Sequence, residues 1–134
     1  MLLVVDANIL MAALIRDSGT RELLMSDELT LIAPEFLLEE ATKYLGYISQ
    51  KTKLENGVVE ELMREVIQRA EIKIYPAEEF EEEMNPAFKL SPDPNDTMYF
   101  ALALKTNAAI WSNDKALKKQ NMIKIISTKG LYGG

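Results

Sequence analysis

Three aspartates occupy positions from which carboxylates can act together. Asp6 directly follows the apolar run Met1–Val5, and Asp114 comes three residues after the apolar run Ala108–Trp111. Because the carboxyl ends of parallel strands meet at one edge of a sheet, acids that follow two such strands can lie close together. Asp96 opens an apolar helical segment and shares a face with aromatic side chains one turn further on. Such a group of carboxylates suits a hard cation such as Mg²⁺ or Mn²⁺, which prefers oxygen ligands.

A fourth acid is expected from the predicted helix Glu35–Ile48. Glu40 follows Leu37 by three residues and precedes Tyr44 by four, which places it along the border of the apolar stripe of this helix. Glu39 is offset from Leu37 by two residues and therefore points away from the stripe. We favour Glu40, because an acid on this border can reach into a cleft. A shift of one residue would transfer the role to Glu39.

The composition limits the remaining chemistry. The chain has no cysteine and no histidine, which excludes disulfides, thiolate nucleophiles, Ser-His-Asp catalysis and the usual zinc sites. The net charge of −6 argues against a passive nucleic-acid binder, which normally has a basic surface. It does not argue against an enzyme that acts on phosphodiesters, because divalent cations offset negative charge locally. A hydrolase of this composition would rely on carboxylates.

The pattern of apolar residues predicts one α/β domain over residues 1–134. Strands are predicted at Met1–Val5, Leu29–Ala33, Ile72–Tyr75, Ala108–Trp111 and Ile123–Ile126. Helices are predicted at Ala7–Arg16, Ser18–Met25, Glu35–Ile48, Asn56–Arg69, Glu78–Met84, Asp96–Lys105 and Lys115–Lys119, with a loop at Lys89–Asn95 and with Pro34 in the first turn of the third helix. Alternating strands and helices indicate a three-layer α/β/α fold around a mainly parallel sheet of four to five strands.

Helix capping is the competing explanation for several of these acids. Asp6, Asp93 and Asp114 all precede helical segments, where an aspartate side chain can accept a hydrogen bond from a backbone N–H group. Asp93 followed by Pro94 is the more natural N-cap of the helix that contains Asp96. Asp96 is therefore not needed as a cap.

Four segments, in order along the chain, resemble the motifs of the PIN-domain family of metal-dependent ribonucleases. They are Val4–Leu10, Pro34–Ala41, Asp93–Ala103 and Trp111–Lys115. The resemblance implies the strand order 3-2-1-4-5, which brings the ends of the first and fourth strands together. It also implies that four acids surround one or two Mg²⁺ or Mn²⁺ ions: Asp6, Glu40, Asp96 and Asp114.

The resemblance further implies hydrolysis of phosphodiester bonds in single-stranded RNA. Asp6 and Asp114 would be the principal metal ligands, while Asp96 and Glu40 would bind metal through water or orient the attacking water. The expected supporting residues are Asn8, Ser112 and Asp93. The candidates for contact with substrate phosphates are Arg16, Lys115, Lys118 and Lys119, which are near the acids in sequence.

The partners implied are RNA and a second copy of the chain. Many small members of the family are toxins that pair with a cognate antitoxin, whereas others are solitary or act in RNA processing. No apolar run is long enough to span a membrane, and the first residues lack the pattern of a signal peptide, so we expect a cytoplasmic protein. Two alternatives remain. One is a catalytically silent binding module whose acids are helix caps. The other is a phosphatase-like hydrolase with Asp6 as nucleophile, which ranks lower because Asn8 stands where that family has a second aspartate.

Overall fold

The computed structural model describes residues 1–15 and 18–133. Its centre is a sheet of five parallel strands in the order β3-β2-β1-β4-β5. The strands are β1 (Leu2–Val5), β2 (Thr30–Pro34), β3 (Lys73–Tyr75), β4 (Ala109–Trp111) and β5 (Ile125–Ile126). Both the parallel α/β fold and the strand order that the resemblance implies are confirmed.

Eight α-helices connect and follow the strands in the described part of the chain. They are α1 (Ala7–Ile15), α2 (Ser18–Leu24), α3 (Phe36–Lys43), α4 (Leu45–Thr52), α5 (Asn56–Arg69), α6 (Met84–Leu90), α7 (Thr97–Thr106) and α8 (Thr128–Gly133). Three 3-10 segments lie at Ala77–Glu83, Pro94–Asp96 and Lys115–Lys119. Among the described residues, no helix is both long enough and apolar enough to cross a membrane.

The core surrounds β1 and α7. Leu3, Val4 and Val5 are completely buried, because a central parallel strand is covered on both of its faces. Helix α7 is buried at five consecutive positions, Tyr99 to Ala103. A helix that is apolar on nearly every side must lie inside the protein, and α7 contacts β1, β2, β4 and α6.

The predicted helix Glu35–Ile48 is divided into α3 and α4. The break occurs at Tyr44, whose φ of −102° and ψ of 10° are not helical. Beyond it, Ile48 is buried against Met11 of α1 and Val59 of α5. The change of direction allows α4 to pack on both of these helices, a requirement that the local sequence does not reveal.

Pro34 is not in the first turn of a helix, as predicted, but is the last residue of β2. It pairs in register with Tyr75 of β3, and the next residue, Glu35, donates its backbone N–H to the Tyr75 carbonyl at 2.9 Å. Proline has no N–H to contribute to a sheet, so the end of a strand is a position where it is tolerated.

The segment between β3 and α7 also differs from the prediction. Residues Ala77–Glu83 form a 3-10 segment with a kink at Phe80, and α6 extends to Leu90 where a loop is predicted. Phe80 and Ala87 are both buried in the main core. The apolar contacts of these two side chains explain why the segment is ordered. The terminal helix α8 is not predicted from the sequence either.

Candidate active site

Asp6 lies at the carboxyl edge of the sheet, where β1 and β4 end side by side. Its carboxylate accepts a hydrogen bond from the backbone N–H of Ile9 at 3.1 Å, in the first turn of α1. It also forms a side-chain hydrogen bond with the buried Ser112. The Ser112 hydroxyl oxygen in turn accepts the backbone N–H of Asp114 at 3.1 Å. Ser112 therefore connects Asp6 to the loop that contains Asp114.

The environment of Asp6 opposes its ionisation. Only 8% of the residue is exposed, and burial raises the pKa of its carboxyl from 3.8 to about 6. The hydrogen bonds from Ser112 and Ile9 lower this pKa, whereas the negative charges of Glu40 and Asp114 raise it further. Asp6 is thus a buried acid with two other acids close enough to affect its charge.

Glu40 reaches the same region from α3. Its carboxylate accepts a hydrogen bond from the Tyr99 hydroxyl of α7, and the Tyr99 ring packs edge-on against Phe36 with their centres 6.1 Å apart. Burial and the bond to Glu40 raise the pKa of Tyr99, so its phenol keeps its proton. Glu39 is exposed and borders a different depression beside Met98. The structure therefore places Glu40, and not Glu39, with the other acids.

Asp96 belongs to the 3-10 turn that precedes α7. Asp93 caps this turn, since its side chain accepts the backbone N–H of Asn95 at 2.8 Å and Pro94 occupies the first helical position. The predicted capping role of Asp93 is confirmed, and Asp96 makes no capping hydrogen bond to α7. Burial raises the pKa of the Asp96 carboxyl to about 6, with further contributions from the charges of Asp93, Asp114, Asp6 and Glu40.

Asp114 is exposed and also acts as a cap, because its carboxylate accepts the backbone N–H of Ala116 at 3.0 Å. A reciprocal pair of hydrogen bonds holds the neighbouring residue. The Asn113 side chain donates to the Thr128 hydroxyl at 3.1 Å and accepts the Thr128 backbone N–H at 2.8 Å. Trp111 also donates its indole N–H to this hydroxyl at 3.0 Å. These contacts attach α8 to the loop and fix the backbone beside Asp114.

The four acids form a cluster that is looser than a preformed ion cage. Asp6, Glu40, Asp96 and Asp114 influence one another electrostatically. Within residues 1–15 and 18–133, however, no three acids are close enough together to constitute a metal site as they stand. The available oxygen donors are carboxylates and the hydroxyls of Ser112 and Tyr99, a chemistry that fits Mg²⁺ or Mn²⁺. The raised pKa values mark unfavourable negative charge that a dication would neutralise.

The other predicted residues differ in whether they adjoin these acids. Asn8 is exposed in the first turn of α1, two residues after Asp6, and Lys115 is exposed next to Asp114. Lys118 instead borders a depression that extends along β5 from Met1 and Glu28 to Ser127, and none of the four acids lines it. Lys119 is exposed at the end of the same 3-10 segment. Arg16 lies outside the described residues.

Sequence reasoning did not identify three residues that support the acids. Tyr99 could have been found, because it follows Asp96 by three residues and adds a hydroxyl to an apolar helix face. Asn113 lies between Ser112 and Asp114, which is a weaker indication. Thr128 gives no local signal, because its contact with Asn113 joins positions 15 residues apart.

Comparisons with known proteins agree with the fold and the motifs. The sequence profile of the PIN domain matches residues 4–126, whereas no curated protein matches the chain. Similar solved structures include PAE2754 from Pyrobaculum aerophilum, with a TM-score of 0.67 and 16% identity over 96% of this chain and 85% of that one. A second similar structure is VapBC2 from Rickettsia felis, which was solved bound to a DNA fragment from its promoter. It has a TM-score of 0.66 and 20% identity, over 95% of this chain and 98% of that one. Identities this low establish a shared fold only, but the profile spans most of the sequence and includes all four acids. The chain belongs to the PIN-domain family.

Proposed function

We propose that this protein is a divalent-metal-dependent endoribonuclease that hydrolyses phosphodiester bonds of single-stranded RNA. The observation that carries the proposal is the convergence of Asp6, Glu40, Asp96 and Asp114 from four separate parts of the chain. Helix capping accounts for part of the bonding of Asp114, but it accounts for neither Glu40 nor Asp96. Membership of the PIN-domain family supports a nuclease.

The metal would be one or two Mg²⁺ or Mn²⁺ ions held by these carboxylates. Asp6 and Asp114 are the proposed principal ligands, because Ser112 connects them at the ends of adjacent strands. When bound, such an ion lowers the pKa of water towards neutrality and stabilises negative charge on a reacting phosphate.

The chain itself orients the acids before any substrate binds. The Ile9 N–H and Ser112 fix the Asp6 carboxylate, and the Tyr99 hydroxyl fixes that of Glu40. Asp96 has no capping hydrogen bond to α7, so its carboxylate is available to orient water. Asn8 and Lys115 are exposed beside Asp6 and Asp114, where they can contact phosphate oxygens.

We further propose that the protein acts in the cytoplasm, pairs with an antitoxin and forms a homodimer. The similarity of fold to VapBC2, a toxin–antitoxin pair, supports the antitoxin. Co-expression with the adjacent gene product and light scattering of the purified protein test these two partners. A monomer that binds no neighbouring protein would contradict both.

Metal binding and RNA cleavage together test the nuclease. We expect Mn²⁺ to raise the unfolding free energy of the natural protein by about 3 kcal/mol at roughly a hundred times its Kd, and to support cleavage of labelled single-stranded RNA. Asp6→Asn should lose both effects and remain folded. Asp27→Asn, which changes an exposed acid and alters the net charge equally, should retain both.

Two results would contradict this function. The absence of any Mn²⁺ or Mg²⁺ effect on stability at millimolar concentration would indicate a metal-free binding module whose acids are caps and structural groups. Cleavage that persists undiminished in Asp6→Asn, in the purified protein, would assign the chemistry to other residues.

A further inference from the structure

The surface that continues from Glu40 along α3 and α4 differs in charge from the rest of this acidic protein. Residues 41–54 contain Lys43, Lys51 and Lys53 but no aspartate or glutamate, although the chain has a net charge of −6. All three lysines are exposed. A stretch with three exposed lysines and no acid, following a helix that carries one of the clustered acids, is suited to contact a polyanionic ligand.

Two exposed tyrosines lie among these lysines. Tyr44 and Tyr47 retain 46% and 48% of their accessible surface. Together with Lys51 they are spaced by three and four residues, so the three side chains follow one face of α4 from its N-cap to its last turn. The Lys51 Nζ atom lies 5.6 Å from the centre of the Tyr47 ring, within the range of a cation–π contact. Lys43 precedes Tyr44 at the end of α3, and its Nζ atom lies 6.0 Å from the centre of the Phe36 ring. We call Lys43, Tyr44, Tyr47 and Lys51 the tyrosine–lysine face.

The tyrosine–lysine face begins at the candidate active site. Tyr44 follows Glu40 by four residues, which is about 6 Å along a helix axis. On its other side, α4 is anchored by Ile48, which packs on Met11 of α1. Helix α1 starts at the carboxylate of Asp6. The face therefore directly follows the helix that carries Glu40, on a helix that contacts α1.

We propose that the tyrosine–lysine face binds the single-stranded nucleic acid that enters the carboxylate cluster. Bases stack on Tyr44 and Tyr47, while Lys43 and Lys51 contact the phosphates. Exposed aromatic rings interleaved with basic side chains are the usual means of binding single strands without sequence preference. This inference rests on the proposed function and identifies a surface for the substrate of that function. The same surface would distinguish a single strand from a duplex, because the stacked bases of a duplex cannot reach the rings.

A second copy of the chain is a poorer occupant of this face. Lysine is depleted from the central parts of protein interfaces. In a twofold contact each copy presents the same patch to the other, so the lysines of both copies would be brought together. A nucleic acid instead supplies a negative charge for each lysine and a flat base for each ring.

Binding in the absence of metal tests the proposal without requiring cleavage. The probe is a fluorescein-labelled oligouridylate of about 12 nucleotides, a length within the usual site sizes, and its affinity is measured by fluorescence anisotropy in EDTA. Replacing both Tyr44 and Tyr47 by Ala should weaken binding by about tenfold or more, whereas Phe at both positions should retain the affinity within about twofold. Tyr132→Ala, which removes another exposed tyrosine on α8, is the matched control and should have no effect.

The charge component is tested by salt dependence. Lys51→Gln should reduce the slope of log affinity against log salt by about 0.7, the value for one phosphate contact on a single strand. An unchanged slope, or a duplex of the same length that binds as tightly as the single strand, would overturn the proposal.

The remaining outcomes separate this inference from the proposed function. If no oligonucleotide binds, or if the double Ala variant binds within twofold of the natural protein, the tyrosine–lysine face is not the binding surface, whatever the cleavage assay shows. If the double Ala change converts a dimer to a monomer in light scattering and leaves RNA binding intact, the face is a self-interface and the proposal is overturned. If RNA binds through the tyrosines but Mn²⁺ supports no cleavage, the proposed nuclease fails while this inference stands.

Discussion

Replacing Asp6 by Asn is expected to stabilise the metal-free protein at neutral pH, although Asp6 is the proposed principal metal ligand. The reason is the burial of this acid, which raises its pKa from 3.8 to about 6. At pH 7 the natural protein must hold the carboxylate ionised in a site that disfavours the charge. Asn removes the charge, and its side-chain oxygen can still accept the N–H of Ile9.

The magnitude follows from the difference between the folded and unfolded pKa values. A shift of about two units corresponds to about 3 kcal/mol above pH 7. Because the folded-state pKa is raised, the favourable contribution of protonated Asp6 is fully present below pH 3.8 and is lost as the pH rises through about 6. The advantage of Asn should therefore be about 3 kcal/mol at pH 7.5, about half of that near pH 5, and negligible at pH 3.

The assay is urea unfolding of both proteins in EDTA between pH 3 and pH 8. In thermal unfolding of a chain of this length, the same stabilisation corresponds to a rise in Tm on the order of 10 °C. Asp27→Asn controls for the change in net charge and should show no such pH dependence. The electrostatic reasoning would be refuted if Asp6→Asn were less stable than the natural protein at pH 7.5. It would also be refuted if the difference in unfolding free energy between the two proteins did not vary with pH.

Three further predictions concern residues around the acids. Tyr99→Phe removes the hydroxyl that is hydrogen-bonded to Glu40. Mn²⁺-dependent cleavage should fall about tenfold, the loss expected for one hydrogen bond to a charged group, while RNA affinity in EDTA should not change. Equal weakening of cleavage and of RNA affinity would contradict a positioning role. Asn113→Ala removes the hydrogen bonds that hold the start of α8 and should lower the unfolding free energy by about 1 kcal/mol, with faster hydrogen exchange at the Thr128 amide; unchanged exchange there would count against it. Lys115→Gln should reduce the salt slope of RNA binding by about 0.7, and a slope equal to that of the natural protein would remove Lys115 from the substrate contacts.

The fold was predictable because its signals are local and repeated. Each buried strand of a parallel sheet is a short apolar run, and each amphipathic helix has its own period, so Leu2–Val5 and Asn56–Arg69 agree with the prediction within one residue. The errors occur where distant contacts decide the backbone. Tyr44 breaks a helix so that Ile48 can reach Met11, and Phe80 is kinked as its ring enters the core. The local sequence does not indicate these contacts, because the partners are far apart along the chain.

The candidate site was likewise predictable only in part from the sequence. The sequence alone determined which chemistry is available, since a chain without histidine and cysteine leaves carboxylates as the ligands and acid–base groups. It also placed Asp6 and Asp114 after strands, because a strand has a definite end. Only the tertiary structure decided that Glu40 and not Glu39 meets the other acids, that Tyr99 holds it, and that Asp6 is buried deeply enough to have a pKa of about 6. These properties depend on helix packing across the sheet, and the electrostatic cost of a buried charge exists only after the surrounding chain has excluded water.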